Sequence, residues 1–314
     1  MRRLIKFKED LFPLEKQHLF VMGGFSLMYL SWTGLVVGFR NDHRDFIIFL
    51  IFMFLTHRVT RTIVYSFIFF VFFWIIYDSM RVFPNYTINE VNIAEPYEIE
   101  KMLFGINHVG NTLTPNEFLK LNAHPFLDFL SGFFYLTWVP VPLALGIYLY
   151  FKDKKLLLQF SAAYLFTNLL GFVIYYVYPA APPWYYETYG DQKLFDIPGS
   201  AAQLVRFDQL VGFPVFENIY TKNANVFAAI PSLHAAYPVV TWYYARKKQL
   251  FIASWLILID VAGIWFAAVY SNHHYVIDVL LGLACAIAGI FIFEKFLRKE
   301  TFEDLISKYL RFIN

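Results

Sequence analysis

Apolar residues along this chain collect into eight runs, at residues 19–39, 45–57, 62–80, 125–151, 156–178, 226–245, 249–271 and 273–295. A helix needs about 20 apolar residues to cross the roughly 30 Å hydrocarbon core of a bilayer, and most of the runs reach that length or come close. They predict an all-α fold: a polytopic integral membrane helical bundle of about eight spans, with residues 1–314 forming a single membrane domain. The run at 45–57 is the short one, since thirteen residues rise only about 20 Å as a helix. Two long polar stretches, 81–124 and 180–225, separate the runs. Within the first, Pro96–Phe104 and Pro115–Leu121 read as short amphipathic helices lying in the membrane interface.

Charge placement decides whether the short run crosses. With eight crossings and the N-terminus inside, one side holds Arg2, Arg3, Lys6, Lys8, Lys16, Arg58, Arg61, Lys152, Lys154, Lys155, Arg246, Lys247, Lys248, Lys295, Arg298, Lys299, Lys308 and Arg311. Those are 18 of the 26 basic residues, as the positive-inside rule requires. Omitting the run at 45–57 would put the N-terminal charges opposite the later basic loops. The expected topology therefore has both termini cytoplasmic and the two polar stretches on the exoplasmic (periplasmic or lumenal) side. The first run is too long for a signal peptide and lacks a cleavage pattern, so it reads as a retained span.

Composition agrees: 58% of residues are hydrophobic and 16% charged. A net charge of +2 gives no basis for a nucleic-acid partner. The lone Cys285 leaves no intramolecular disulfide and no cysteine metal site.

Candidate chemistry lies in two strings, Pro231-Ser232-Leu233-His234 and His273-His274-Tyr275-Val276-Ile277-Asp278. Positions i and i+4 share a helix face, so Asp278 can orient the His274 ring through one nitrogen and leave the other free. Two imidazoles and a carboxylate at a membrane surface suit phosphoryl transfer through a phosphohistidine, with one ring as nucleophile and the other as general acid and base. An ionisable residue inside a span is costly and marks function. His273 lies about 140° round the helix from Asp278 and reads as interfacial or supporting. His108 and His124 have no partner at ligand spacing, and His18, His43 and His57 sit near span ends. No third acid or Cys/His pair stands near His274, so neither a metal nor an organic cofactor is expected. Ser232 lacks the Gly-x-Ser-x-Gly setting of a nucleophilic serine and is assigned a hydrogen bond to a phosphate oxygen. Arg206, Lys193 and Arg81 are the candidate phosphate cations, with arginine the better bidentate donor. Trp184, Tyr185 and Tyr186 read either as interfacial aromatics or as substrate contacts.

These strings resemble the phosphatidic acid phosphatase type 2 superfamily. Ala181-Pro182-Pro183-Trp184-Tyr185, the Pro198-Gly199 turn, Arg206-Phe207-Asp208, Phe227 to Ala235 and His273 to Asp278 are similar, in order over about residues 80–290, to the inositol phosphorylceramide synthases. The His-Tyr-x-x-Asp-Val string is also similar to sphingomyelin synthases. The resemblance implies a six-helix phosphatase-type catalytic core with an exoplasmic active site. His274 would be the nucleophile, Asp278 its orienter and His234 the acid and base, with Arg206, Ser232, Trp184 and Tyr185 as substrate-binding residues. The superfamily's Lys-x6-Arg-Pro motif is absent, and Ala268 replaces the arginine six residues before the nucleophile. The implied activity is transfer of a phospho-head group, inositol phosphate first, from a phospholipid to a lipid hydroxyl such as ceramide or diacylglycerol. The alternative is a lipid phosphate phosphatase with water as acceptor. A lipid-binding protein with a dead site is the reading from another class, which retention of all three catalytic residues argues against.

Overall fold

The computed structural model describes residues 15–221, 225–297 and 299–313, so Arg2, Arg3, Lys6, Lys8 and Arg298 lie outside the described residues. Helix α1 (Lys16–Trp32) runs into a short π-helical turn at Thr33–Val37, and α2 (Asn41–Thr56) returns beside it. Next come α3 (Arg58–Ser66) and α4 (Ile68–Ser79), bent by 56° at the break between them. The bend has a chemical cause: α3 carries Arg58, Thr60, Arg61 and Thr62, whereas α4 is almost wholly apolar, and charged side chains are costly in hydrocarbon.

The first polar stretch holds α5 (Ala94–Phe104), a two-stranded hairpin of β1 (Ile106–His108) and β2 (Asn111–Leu113), and α6 (Pro115–Leu121). Both short helices fall where their amphipathic patterns lie. The hairpin, with Ile106 opposite Leu113, is an addition to the all-helical expectation. Helix α6 starts on a capping box: the Thr114 hydroxyl accepts the Glu117 amide at 3.3 Å, and Glu117 accepts the Thr114 amide at 2.8 Å.

The bundle continues with α7 (Pro125–Leu136), α8 (Pro140–Lys152) and α9 (Lys154–Val177). Pro140 and Pro142 break the run at 125–151 into α7 and α8, because a proline ring removes a ladder donor and clashes with the preceding turn. The second polar stretch contains α10 (Pro183–Tyr189), α11 (Val205–Val211) and α12 (Val215–Tyr220). Last come α13 (Leu233–Lys247), α14 (Phe251–Tyr270), α15 (Val276–Leu297) and α16 (Glu300–Ile313).

Five helical segments are long and apolar enough to cross a membrane, six if the bent α3–α4 pair is one span. This is a polytopic helical membrane protein. The other two predicted runs form shorter helices, α2 with 16 residues and α13 with 15. Helix α13 begins at Leu233 rather than at residue 226 because Ser232 is extended and caps it, its hydroxyl accepting the Ala235 amide at 3.3 Å. Helix α16 was not among the predicted elements. Its apolar positions recur at helical spacing, and Ile306 and Ile313 are buried.

Contacts sort the connections to two ends of the bundle. At one end Lys248 pairs with Asp153 at 2.7 Å, Lys155 with Glu303 at 2.6 Å, and the Tyr309 hydroxyl donates to the Tyr65 carbonyl at 2.8 Å. At the other end the two polar stretches knit together. The Asn92 amide donates to the Pro179 carbonyl at 2.9 Å, the Ala180 amide donates to the Phe227 carbonyl at 3.0 Å, and Lys193 pairs with Glu90.

Candidate active site

The site forms where α13, α14 and α15 meet under the second end. Asn272 sits at φ 66°, a left-handed conformation that asparagine tolerates, and ends α14. The amides of His273 and His274 then both donate to the Ala268 carbonyl, at 3.2 and 3.0 Å, which turns the chain sharply before α15 starts. On α15, Gly282 lies one turn below Asp278, and a Cβ there would come within 2.2 Å of the Ser232 carbonyl oxygen. That close approach lets the Pro231-Ser232 turn pack on α15, and the Ser232 amide donates to the Asp278 carbonyl at 2.9 Å.

His234 and His274 thereby face each other with ring centroids 5.8 Å apart. Nδ1 of His274 faces Asp278 Oδ2 at 3.4 Å, and the same oxygen accepts the Tyr275 amide at 2.9 Å. Asp278 is fully buried and its Oδ1 has no hydrogen-bond partner among the described residues. His274 is 6% exposed, and the Ala229 carbonyl borders its ring. His234 is the more accessible imidazole, held between Tyr135, stacked at 5.0 Å, and the edge of Trp138 at 5.1 Å.

The remaining predicted residues have these places. Arg206 lies beside the turn carrying the histidines: its Nε donates to Asp128 at 2.6 Å, Nη1 donates to Gln203 at 2.8 Å, and the guanidinium sits 5.1 Å over the Tyr270 ring. Its Nη2 is buried without a hydrogen-bond partner among the described residues. Ser232 is buried and caps α13, which leaves its hydroxyl proton unassigned by any bond among the described residues. Trp184 and Tyr185 belong to a small core with Val91, Ile93 and Phe227. The Trp184 amide donates to the Asn272 carbonyl at 3.1 Å. The Tyr185 hydroxyl bonds the loop backbone at Gln192 and Leu194, so both aromatics brace the loop that covers the site. Lys193 is engaged with Glu90, and Arg81 pairs with Asp78 at 3.1 Å. His273 is buried rather than interfacial. Its Nε2–H donates to the Ala201 carbonyl at 3.0 Å, and its ring stacks on Tyr220 at 4.2 Å.

Two residues of the first polar stretch, which carried no chemical signal in the sequence, reach the same turn. The buried Glu100 accepts the amides of Val276 at 2.9 Å and Ile277 at 3.1 Å, the open donors at the start of α15. Burial, reinforced by nearby Asp278, pushes its carboxyl up to about 7, although the two amides oppose the shift. Asn116 Nδ2 donates to the carbonyls of Val269 at 2.8 Å and His274 at 2.9 Å. Asp128 did have a readable signal, as an acid one turn inside an otherwise apolar run.

Among the described residues, one other group has metal-type side chains: Asp42, His43 and Asp78. The Arg40 amide occupies His43 Nδ1 at 3.2 Å, so Nε2 carries the proton that meets Asp78 at 2.8 Å, and Arg40 and Arg81 flank the same carboxylate. It is an ion-pair network tying α2 to α4.

Two facing imidazoles, one backed by a buried carboxylate and both held at one end of a membrane bundle, define a helical membrane protein built for histidine-centred phosphoryl chemistry. The chain belongs to the PAP2 superfamily, whose family model matches residues 112–292. It is 42% identical to the phosphoinositol dihydroceramide synthase of Bacteroides thetaiotaomicron, over 96% of this chain and 99% of that protein. It is 27% identical to the inositol phosphorylceramide synthase catalytic subunit of Saccharomyces cerevisiae and 29% identical to the inositol phosphorylceramide synthase of Candida albicans. Those matches cover 67% and 72% of this chain, which spans about half of each fungal protein, 51% and 47%. No solved structure matches the chain.

Proposed function

We propose that this protein is a lipid phosphotransferase that moves a phosphoinositol head group from a phospholipid to the hydroxyl of a ceramide-type acceptor. The observation that carries the reaction class is the asymmetric histidine pair, since only one of the two facing rings has a carboxylate behind it. Asp278 holds the Nδ1 proton of His274, leaving Nε2 to attack phosphorus. The bond from phosphorus to the diacylglycerol oxygen breaks, and His234 gives that oxygen a proton. His234 then takes the proton of the acceptor hydroxyl, whose oxygen attacks phosphorus and releases His274. Each imidazole ends as it began. The names of the relatives support the head group and the acceptor. Burial of His274 and the covering loops favour a lipid acceptor over water.

In the bilayer, the end carrying the polar stretches faces the exoplasm, and the basic loops and both termini face the cytoplasm. The distribution of Lys and Arg supports that orientation.

The test is incubation of purified protein with head-group-labelled phosphatidylinositol, with and without ceramide. Labelled phosphoinositol ceramide is the expected product. Release of free inositol phosphate regardless of ceramide would make the protein a hydrolase instead.

A further inference from the structure

Helix α7 lies in one of the apolar runs yet carries a polar stripe. Asp128, Ser131 and Tyr135 are spaced i, i+3 and i+7, so they share one face. The two ends of that face are fixed. Asp128 holds Arg206 at 2.6 Å and accepts the Tyr270 hydroxyl at 2.8 Å, while the Tyr135 ring stacks on His234 at 5.0 Å and His273 at 5.7 Å. Ser131 lies between them. The stripe therefore runs from Arg206 to the rings of His234 and His273.

The opposite side is polar as well. The Gln203 amide donates to the Ser271 carbonyl at 3.1 Å, and His273 donates through Nε2 to Ala201 at 3.0 Å, which lays residues 201–206 over the end of α14. Because Nε2 of His273 carries that proton, Nδ1 of the neutral ring is left as an acceptor. Three buried polar atoms here have no hydrogen-bond partner among the described residues: Ser131 Oγ, Ser271 Oγ and Arg206 Nη2. Ser131 and Ser271 are each 1% exposed. A buried polar atom without a partner is costly, and several gathered beside a reaction centre point to a ligand that supplies the missing bonds.

We propose that the α7 stripe, with Ser271 and His273 opposite it, is the subsite that recognises the hydroxyls of the donor lipid's polyol head group. This rests on the phosphotransferase reading above. The mixture of donors and acceptors suits a ring or chain of hydroxyls, each of which gives and takes a hydrogen bond. Arg206, at the end of the stripe away from His234, disfavours an ammonium head group by like-charge repulsion. A site built to bond hydroxyls rejects a donor that lacks them, because its own buried groups then stay unpaired.

The experiment compares wild type, S131A and S271A in detergent, with phosphatidylinositol and with phosphatidylethanolamine as donor to ceramide. S131A and S271A should each lower kcat/KM for phosphatidylinositol about tenfold, mostly through KM, the effect of one lost hydrogen bond. The slow rate with phosphatidylethanolamine should hold, so donor preference collapses. A short-chain phosphatidylinositol, titrated while thermal unfolding is followed, reads binding without turnover. If wild type turns over phosphatidylinositol and no variant changes donor preference or binding, the subsite is wrong and the transferase reading survives. If wild type never transfers the head group but S131A and S271A weaken binding selectively, the subsite stands and the transferase reading fails. Equal loss with both donors in S131A and S271A would also overturn the subsite.

Discussion

The side-chain amide of Asn116 donates to the backbone carbonyl of His274 at 2.9 Å, joining residues 158 apart in sequence. It also donates to the Val269 carbonyl at 2.8 Å, so one side chain closes both ends of the turn that carries His274. The first polar stretch is thereby part of the active site without contributing a reacting atom.

Asn116→Ala should leave two buried carbonyls without that donor, at a cost of about 1–3 kcal/mol each. The expected result is a fall in kcat on the order of tenfold or more, with little change in KM. Steady-state kinetics with a check of monodispersity would decide it. A change confined to KM would place Asn116 on substrate rather than on the turn.

Glu100 should make stability depend on pH. Its folded value of about 7 lies above the ordinary 4.5, because burial favours the neutral acid. The stability this group contributes is full below about pH 4.5 and is lost as pH rises through about 7. Glu100→Gln should flatten that part of the profile of thermal unfolding measured from pH 4.5 to 8. An unchanged slope would assign the pH dependence to other groups.

Arg206→Ala should reduce turnover far more than Lys193→Ala. Arg206 is held by Asp128, Gln203 and Tyr270 with one nitrogen unpaired, whereas Lys193 is 43% exposed and engaged with Glu90. Exposed pairs of that kind contribute about 0–1 kcal/mol. Kinetics of the two variants in one detergent gives the comparison, and equal effects would remove Arg206 from phosphate binding.

His274→Ala should abolish phosphoenzyme formation, since neither His234 nor His273 is paired with Asp278. Asp278→Asn should keep the ring in place and a residual rate, because the tautomer is then no longer enforced. His273→Ala should retain phosphoenzyme formation with a raised KM for the donor. Trapping with labelled phosphatidylinositol reads all three, and an active His274→Ala beside a dead His273→Ala would exchange their roles.

Single cysteines introduced at Asp153 and Gly190 in a Cys285→Ser background should label from opposite sides of sealed membranes, residue 153 from the cytoplasm. Labelling of both from one side would break the eight-crossing topology.

The sequence alone determined what depends on local pattern and composition. Apolar run length, the short helices at Pro96–Phe104 and Pro115–Leu121, and the i, i+4 relation of His274 to Asp278 all follow from periodicity. The bend at Phe67 and the late start of α13 had local causes too, in the polar residues of α3 and the Pro231-Ser232 cap. Only the tertiary structure decided which distant residues share the site. Glu100 and Asn116 reach the His274 turn across more than 150 residues of chain. Tyr185, which reads equally well as a substrate contact, is spent on holding loop backbone. An amide or a carboxylate in an interfacial helix looks the same in sequence whether it meets water or a buried turn. Its partner is chosen by how the loops fold over the bundle, and that packing leaves no periodic trace in the chain.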